Sequence, residues 1–163
     1  MKSLLVLRHA KSSWKQPDLA DHDRPLNKRG KRDAPLMGRL LKKKGLVPDN
    51  IISSTAIRAR STAKAVAKAS GYKGEIILNH SLYAAGPDAY LSVMHDLSDE
   101  YARVLIIGHN PGLEELLEML TGEIRVMPTC SLAHVKLRVD KWSDIDNKIK
   151  GKVAGIWRPR NLT

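Results

Sequence analysis

The chain has 163 residues, 42% of them hydrophobic and 28% charged, which is enough to enclose a core and excludes a disordered or low-complexity protein. Its 28 Lys and Arg against 17 Asp and Glu leave a formal charge of +11, so anions are the natural partners: nucleic acid, acidic protein, a membrane surface or small phosphates. The single cysteine, Cys130, excludes an internal disulfide and fits a reducing, cytoplasmic setting.

Residues 4–7 (Leu-Leu-Val-Leu) form an apolar run that stops at Arg8-His9, too short for a signal or membrane segment and right for a buried strand. A polar loop over 8–27 follows, and then a helix over 28–44, with Met37, Leu40 and Leu41 at helical spacing and Gly45 as its stop. Pro35 weakens the first turns of that helix. Residues 50–53 read as a strand and 55–69 as a helix, capped by Ser53 or Ser54 and closed by Ser70-Gly71.

A strand over 75–78 and a helix over 87–97 come next. Residues 103–107 (Arg-Val-Leu-Ile-Ile) are the clearest strand, apolar enough to be central and covered on both faces. Asn110-Pro111 is expected to open a helix, with Asn as cap and Pro at the first helical position, and Thr121-Gly122 to close it. Strands over 133–139 and 153–157 then add a hairpin to the sheet. Strands and helices alternate without a repeat or linker, which predicts one α/β domain over 1–163: three layers, α/β/α, with a mostly parallel central sheet and helices on both faces.

Three segments lie where a strand gives way to a loop or helix: Leu7-Arg8-His9-Ala10, Ser53-Ser54-Thr55-Ala56-Ile57-Arg58-Ala59 and Ile107-Gly108-His109-Asn110-Pro111-Gly112. Ligands of open α/β sheets bind at the carboxyl ends of strands. Arg8, His9, Arg58 and His109 therefore face one rim, and two arginines with two histidines suit a phosphoryl group. Guanidinium forks match its oxygens and stay charged, a neutral imidazole can attack phosphorus, and catalysis of phosphoryl transfer is mostly positioning and electrostatics. The helix beginning near Pro111 adds free N–H groups and a partial positive charge beside His109.

The order of these segments resembles the histidine phosphatase superfamily, the phosphoglycerate-mutase-like proteins, and in particular the short SixA-type phosphohistidine phosphatases. Leu-Arg-His-Ala-Lys-Ser-Ser-Trp over 7–14 is similar to the nucleophile motif, with Ala10 where glycine is usual. Asp23-Arg24-Pro25-Leu26-Asn27-Lys28-Arg29-Gly30 is similar to the segment that begins the first helix. Residues 54–63 resemble the segment of the second phosphate arginine, and Gly108-His109-Asn110-Pro111 that of the second histidine. Together these matches span residues 4–121. The resemblance implies a phosphoglycerate-mutase-like fold, a hydrolase activity and a covalent phosphohistidine on His9. It further implies that Arg8, Arg58 and a cationic His109 hold the three non-bridging oxygens. Ser12 and the Asn110 amide are further substrate-binding candidates. Many members carry Asn where this chain has Lys15.

The chain also departs from the family. Many members that cleave phosphoesters carry a Glu or Asp after the third strand to protonate the leaving oxygen, whereas residues 81–87 here (Ser-Leu-Tyr-Ala-Ala-Gly-Pro) hold no acid. General acid help is worth ~10²–10⁴-fold to an alkoxide, but the nitrogen leaving group of phosphohistidine can carry its own proton. The gap, and a length that leaves little room for a cap over the site, favour phosphohistidine on a protein as substrate. A small phosphorylated metabolite or nucleotide is the alternative, with Asp88, Asp18, Asp21 or Asp23 as acid.

A basic nucleic-acid-binding protein is the rival from another class, motivated by the charge and by the cluster from Arg24 to Lys44. No recognised nucleic-acid motif and few aromatics accompany that cluster, so it reads first as a solvated helix face. His22, His80, His95 and His134 have no ligand-like spacing, and a cationic site repels metal ions, so neither metal nor cofactor is expected.

Overall fold

The computed structural model describes residues 1–162. Its strands are β1 (Lys2–Arg8), β2 (Asn50–Ser53), β3 (Ile76–Leu78), β4 (Arg103–Gly108), β5 (Leu132–Leu137) and β6 (Gly151–Trp157). Its helices are α1 (Lys28–Lys43), α2 (Ile57–Ser70), α3 (Pro87–His95) and α4 (Gly112–Thr121). The strands form one sheet in the order β3-β2-β4-β1-β5-β6. The first four run parallel, and β5 and β6 add antiparallel at one side. The mostly parallel, three-layer expectation is met.

Alternation along the strands divides the core in two. Leu4 and Val6 of β1 with Val104 and Ile106 of β4 face α3 and α4, packing on Tyr90, Met94, Leu113, Leu116, Leu117 and Leu120. Leu5, Leu7, Leu105 and Ile107 face the other way, onto Met37 and Leu41 of α1 and Ala59, Ala63 and Val66 of α2. Both faces of β1 and β4 are covered, which is why their sequences are continuously apolar.

The helix expected over 28–44 is α1, which continues through Pro35 because Ala34, Met37 and Leu41 are all fully buried on the same face. Two expectations about helix caps are corrected. Helix α4 begins at Gly112, with Pro111 at the cap position and a cis Asn110–Pro111 peptide. Asn110 does not cap it, because the Asn110 amide instead donates to the Met127 carbonyl (2.8 Å). Likewise Ala56, not a serine, occupies the cap position of α2. Gly45, Gly71 and Gly122 all take positive φ at helix ends, as expected of glycine there. Among the described residues, no helix is long and apolar enough to cross a membrane.

Candidate active site

Register builds the site. Arg8 at the end of β1 lies opposite Gly108 at the end of β4, and Ser53 at the end of β2 lies opposite Ile107. The hydrogen bonds continue one residue beyond: the His9 N–H donates to the Gly108 carbonyl (3.1 Å) and the Ser54 N–H to the Ile107 carbonyl (3.0 Å). His9, His109 and Ser54 are thus carried on three adjacent strand ends. The His9 and His109 rings stand 5.1 Å apart, centroid to centroid. Arg58, in the first turn of α2, comes in from the side.

Each imidazole is held by one nitrogen. His9 Nδ1 donates to the Ala10 carbonyl (2.8 Å), which fixes that tautomer and leaves the Nε2 lone pair available. The Ala10 N–H in turn donates to Thr62 Oγ1 (3.0 Å), and the Thr62 hydroxyl to the Arg58 carbonyl (2.7 Å), so the backbone after His9 is tied to α2. His109 Nε2 lies 2.7 Å from Ser54 Oγ, and the His109 N–H donates to the Tyr90 hydroxyl (3.1 Å). The other ring nitrogen of His109, Nδ1, is buried without a protein partner among the described residues.

The arginines repeat this pattern of anchored and free donors. Arg8 Nη1 donates to the Met127 carbonyl (3.1 Å), while its buried Nε has no partner among the described residues. Arg58 Nη1 donates to the Asp21 carbonyl (2.7 Å) and Nη2 to Asp21 Oδ2 (3.0 Å), while its Nε has none. A third guanidinium, Arg24, is also buried. It stacks 3.4 Å from the Trp14 ring centroid and donates to Ser12 Oγ (2.7 Å), and its Nη1 is unpartnered among the described residues. Buried guanidinium donors left unsatisfied are costly, and an anion rich in acceptors, such as phosphate, would satisfy them.

Electrostatics set the protonation states. Burial, followed by the charges of His109, Arg58 and Arg8, pushes His9 down to about 3. Burial and then Arg58 push His109 down to about 4. The protein alone therefore holds both histidines neutral at pH 7. That suits a nucleophile, and the cationic His109 expected with a bound phosphoryl group is not the state of the free site; a phosphoryl dianion beside it would favour the charged form. Asp21 is held below the usual carboxylate range, first by the hydrogen bond from Tyr83 and then by Arg58 and Arg24.

The structure thus gathers Arg8, His9, Arg58 and His109, and brings Ser12 to their edge through Arg24. The Asn110 side chain is committed to Met127, which leaves only its backbone amide as a candidate. Asp18 and Asp88 are exposed, and Asp23 lies 3.6 Å from His22 Nδ1. Arg24 does not belong to a solvated face, and neither does Asp33, which is buried between Arg29 and Arg32. Sequence reasoning missed Ser54 as the partner of His109 and Tyr83 as a rim residue. It also set aside His22 and His80, which share the Thr55 hydroxyl (2.8 and 2.7 Å) and flank Tyr83. Arg24 stood within a quoted motif and could have been found; Tyr83 carried no signal.

The protein-family model described as histidine phosphatase superfamily (branch 1) matches residues 4–82. A structure of the putative phosphohistidine phosphatase SixA from Agrobacterium tumefaciens is 30% identical, with 97% of this chain and 98% of that one covered and a TM-score of 0.83. The chain belongs to the histidine phosphatase superfamily. Within it, the SixA-type architecture is the one shared. A SixA protein histidine phosphatase complexed with tungstate, 23% identical over 99% of both chains, has the same fold at a TM-score of 0.85. An uncharacterized chloroplastic protein of Arabidopsis thaliana is 33% identical over 88% of this chain and 70% of its own length. This histidine phosphatase thus carries the superfamily's fold with an acid-free stretch at 81–87, where Tyr83 stands 5.7 Å from the His109 ring.

Proposed function

We propose that this histidine phosphatase removes the phosphoryl group from phosphohistidine displayed on a protein, through a phosphorylated His9. In the first step His9 Nε2 bonds to phosphorus, and the P–N bond breaks with its electron pair leaving on the substrate imidazole. The proton carried by that ring's other nitrogen makes the departing group a neutral imidazole. In the second step water attacks the phosphorylated His9, phosphate leaves and the Nε2 lone pair returns. Arg8, Arg58 and His109 hold the non-bridging oxygens throughout, and Ser12 and the Asn110 amide are the further contacts proposed.

The observation that carries the substrate preference is the state of the carboxylates at the site. Residues 81–87 supply none, and Asp21, the carboxylate that does reach the pocket, is ionised and bonded to Arg58 and Tyr83. A site without a protonated acid is poorly equipped to expel an alkoxide and adequate for an imidazole. The resemblance to SixA structures supports the same reading.

The experiment compares kcat/KM on a phosphohistidine-bearing protein with that on small phosphomonoesters, and traps the phosphoenzyme for mass spectrometry. Faster turnover of the protein and a phosphate on His9 are expected, with both signals lost in His9→Ala. Faster turnover of the esters would turn the substrate assignment towards a small metabolite. Near-normal activity in His9→Ala would end the mechanism.

A further inference from the structure

The loop between β1 and α1 is exposed from Trp14 to Asp21, yet one of its side chains reaches into the site. Asp21, at the start of a 3-10 turn (Asp21–Asp23), offers its backbone carbonyl to Arg58 Nη1 at 2.7 Å and Oδ2 to Arg58 Nη2 at 3.0 Å. The same Oδ2 accepts from the Tyr83 hydroxyl at 2.6 Å, and Oδ1 lies 3.3 Å from Arg24 Nε. One residue therefore ties together the early loop, the first turn of α2 and the loop after β3.

The arrangement on Arg58 is selective. Asp21 takes one proton from each terminal nitrogen and leaves the buried Nε–H, together with the second protons of the terminal groups, for another acceptor. Gripped at its end, the guanidinium loses the rotamer freedom that a long arginine side chain would otherwise have to give up when an anion binds. The Asp21 charge also offsets the mutual repulsion of Arg24 and Arg58, each of which is buried. We propose that Asp21 is a positioning residue for the reaction: it holds the Arg58 guanidinium by its terminal nitrogens, with Tyr83 and Arg24 steadying the carboxylate, so that the remaining donors are fixed for the phosphoryl oxygens.

This role rests on the proposed part of Arg58 in binding the phosphoryl group, and it differs from two others open to a carboxylate at that place. As a general acid Asp21 would need a proton that its three cationic and hydroxyl neighbours disfavour. As a competitor for Arg58 it would have to leave before phosphate could enter, and its removal would then strengthen anion binding.

A double-mutant cycle on p-nitrophenyl phosphate hydrolysis and vanadate inhibition separates these roles. Asp21→Ala is expected to lower kcat/KM about tenfold and to weaken vanadate inhibition similarly, within the ~10²-fold that a 1 Å misplacement can cost. Asp21→Asn, which keeps an acceptor for Arg58, should recover part of the loss. In an Arg58→Ala background, Asp21→Ala should cost nothing further. Additive losses would mean that Asp21 acts independently of Arg58 and would overturn the proposal. Tighter vanadate inhibition in either Asp21 variant would overturn it in favour of competition. An Arg58→Ala enzyme with unchanged kcat/KM would overturn both this inference and the site reading beneath it, whereas additivity alone leaves that reading intact.

Discussion

At the scale of single residues, the two site histidines show what burial does to an imidazole. Each is an imidazole buried to 7% exposure among arginines, and each is kept neutral by that burial. Their folded values of about 3 and about 4 lie below the ~6.5 of an unfolded chain. The unfolded state therefore binds protons that the folded state refuses. Stability is whole above about pH 6.5 and declines as the pH falls from there towards the folded values. Between pH 7 and pH 5 the loss should be about 2 kcal/mol per histidine. Urea unfolding at the two pH values checks this: His9→Asn should lose about 2 kcal/mol less than the native chain over that interval. Equal losses would mean that His9 is not held as a buried neutral ring. Cys130 is inert by the same physics, since burial raises its thiol to about 12.

At the scale of elements, the junction between β4 and α4 determines where His109 points. The Tyr90 hydroxyl of α3 accepts the His109 N–H, and the chain approaches so closely that a Cβ on Gly108 would lie 2.1 Å from that hydroxyl. Only glycine fits there while Tyr90 stays in place. Tyr90→Phe removes the acceptor and leaves a buried N–H unpaired, at a cost of about 1–3 kcal/mol. Because the peptide freed belongs to His109, the same variant should also weaken vanadate binding. Calorimetric unfolding with and without vanadate reads both effects. A stability loss with unchanged vanadate stabilisation would show that Tyr90 supports the fold alone. Gly30 plays a matching part at α1, where a Cβ would meet the Lys11 carbonyl at 2.2 Å; its absence lets the helix close on the segment after His9.

At the scale of the whole molecule, the sheet separates two cores that meet only through its strands. Leu41 lies in the core under α1 and α2, and Leu117 in the core under α3 and α4, both fully buried. Leu→Ala at either site should cost about 2–5 kcal/mol. Because they share no neighbouring side chains, the two losses should add to within about 0.5 kcal/mol. Urea denaturation of the two single variants and the double variant tests this. Strong non-additivity would reveal that the faces are coupled through β1 and β4. The site lies along the one edge where both cores and three strand ends meet, so its rigidity draws on both.

Much of this was legible in the chain. The apolar runs at 4–7 and 103–107 announced central strands, because a strand covered on both faces has no place for polar residues. The positions of Arg8, His9, Arg58 and His109 at strand ends and a first helical turn announced a candidate site, because local backbone geometry already fixes which rim such residues face. What the chain could not reveal were contacts made across it. Asp21 was one of several acids in a polar loop until folding brought it to Arg58, 37 residues away, and to Tyr83, 62 away. Asn110 looked like a helix cap until Met127 claimed its amide, and Arg24 looked like one charge in a basic run until Trp14 and Ser12 buried it. By itself the sequence determined which residues stand together at the strand ends as the candidate site, since type and local spacing suffice for that. Only the tertiary structure decided their protonation and their anchors, because both depend on burial and on partners distant in sequence.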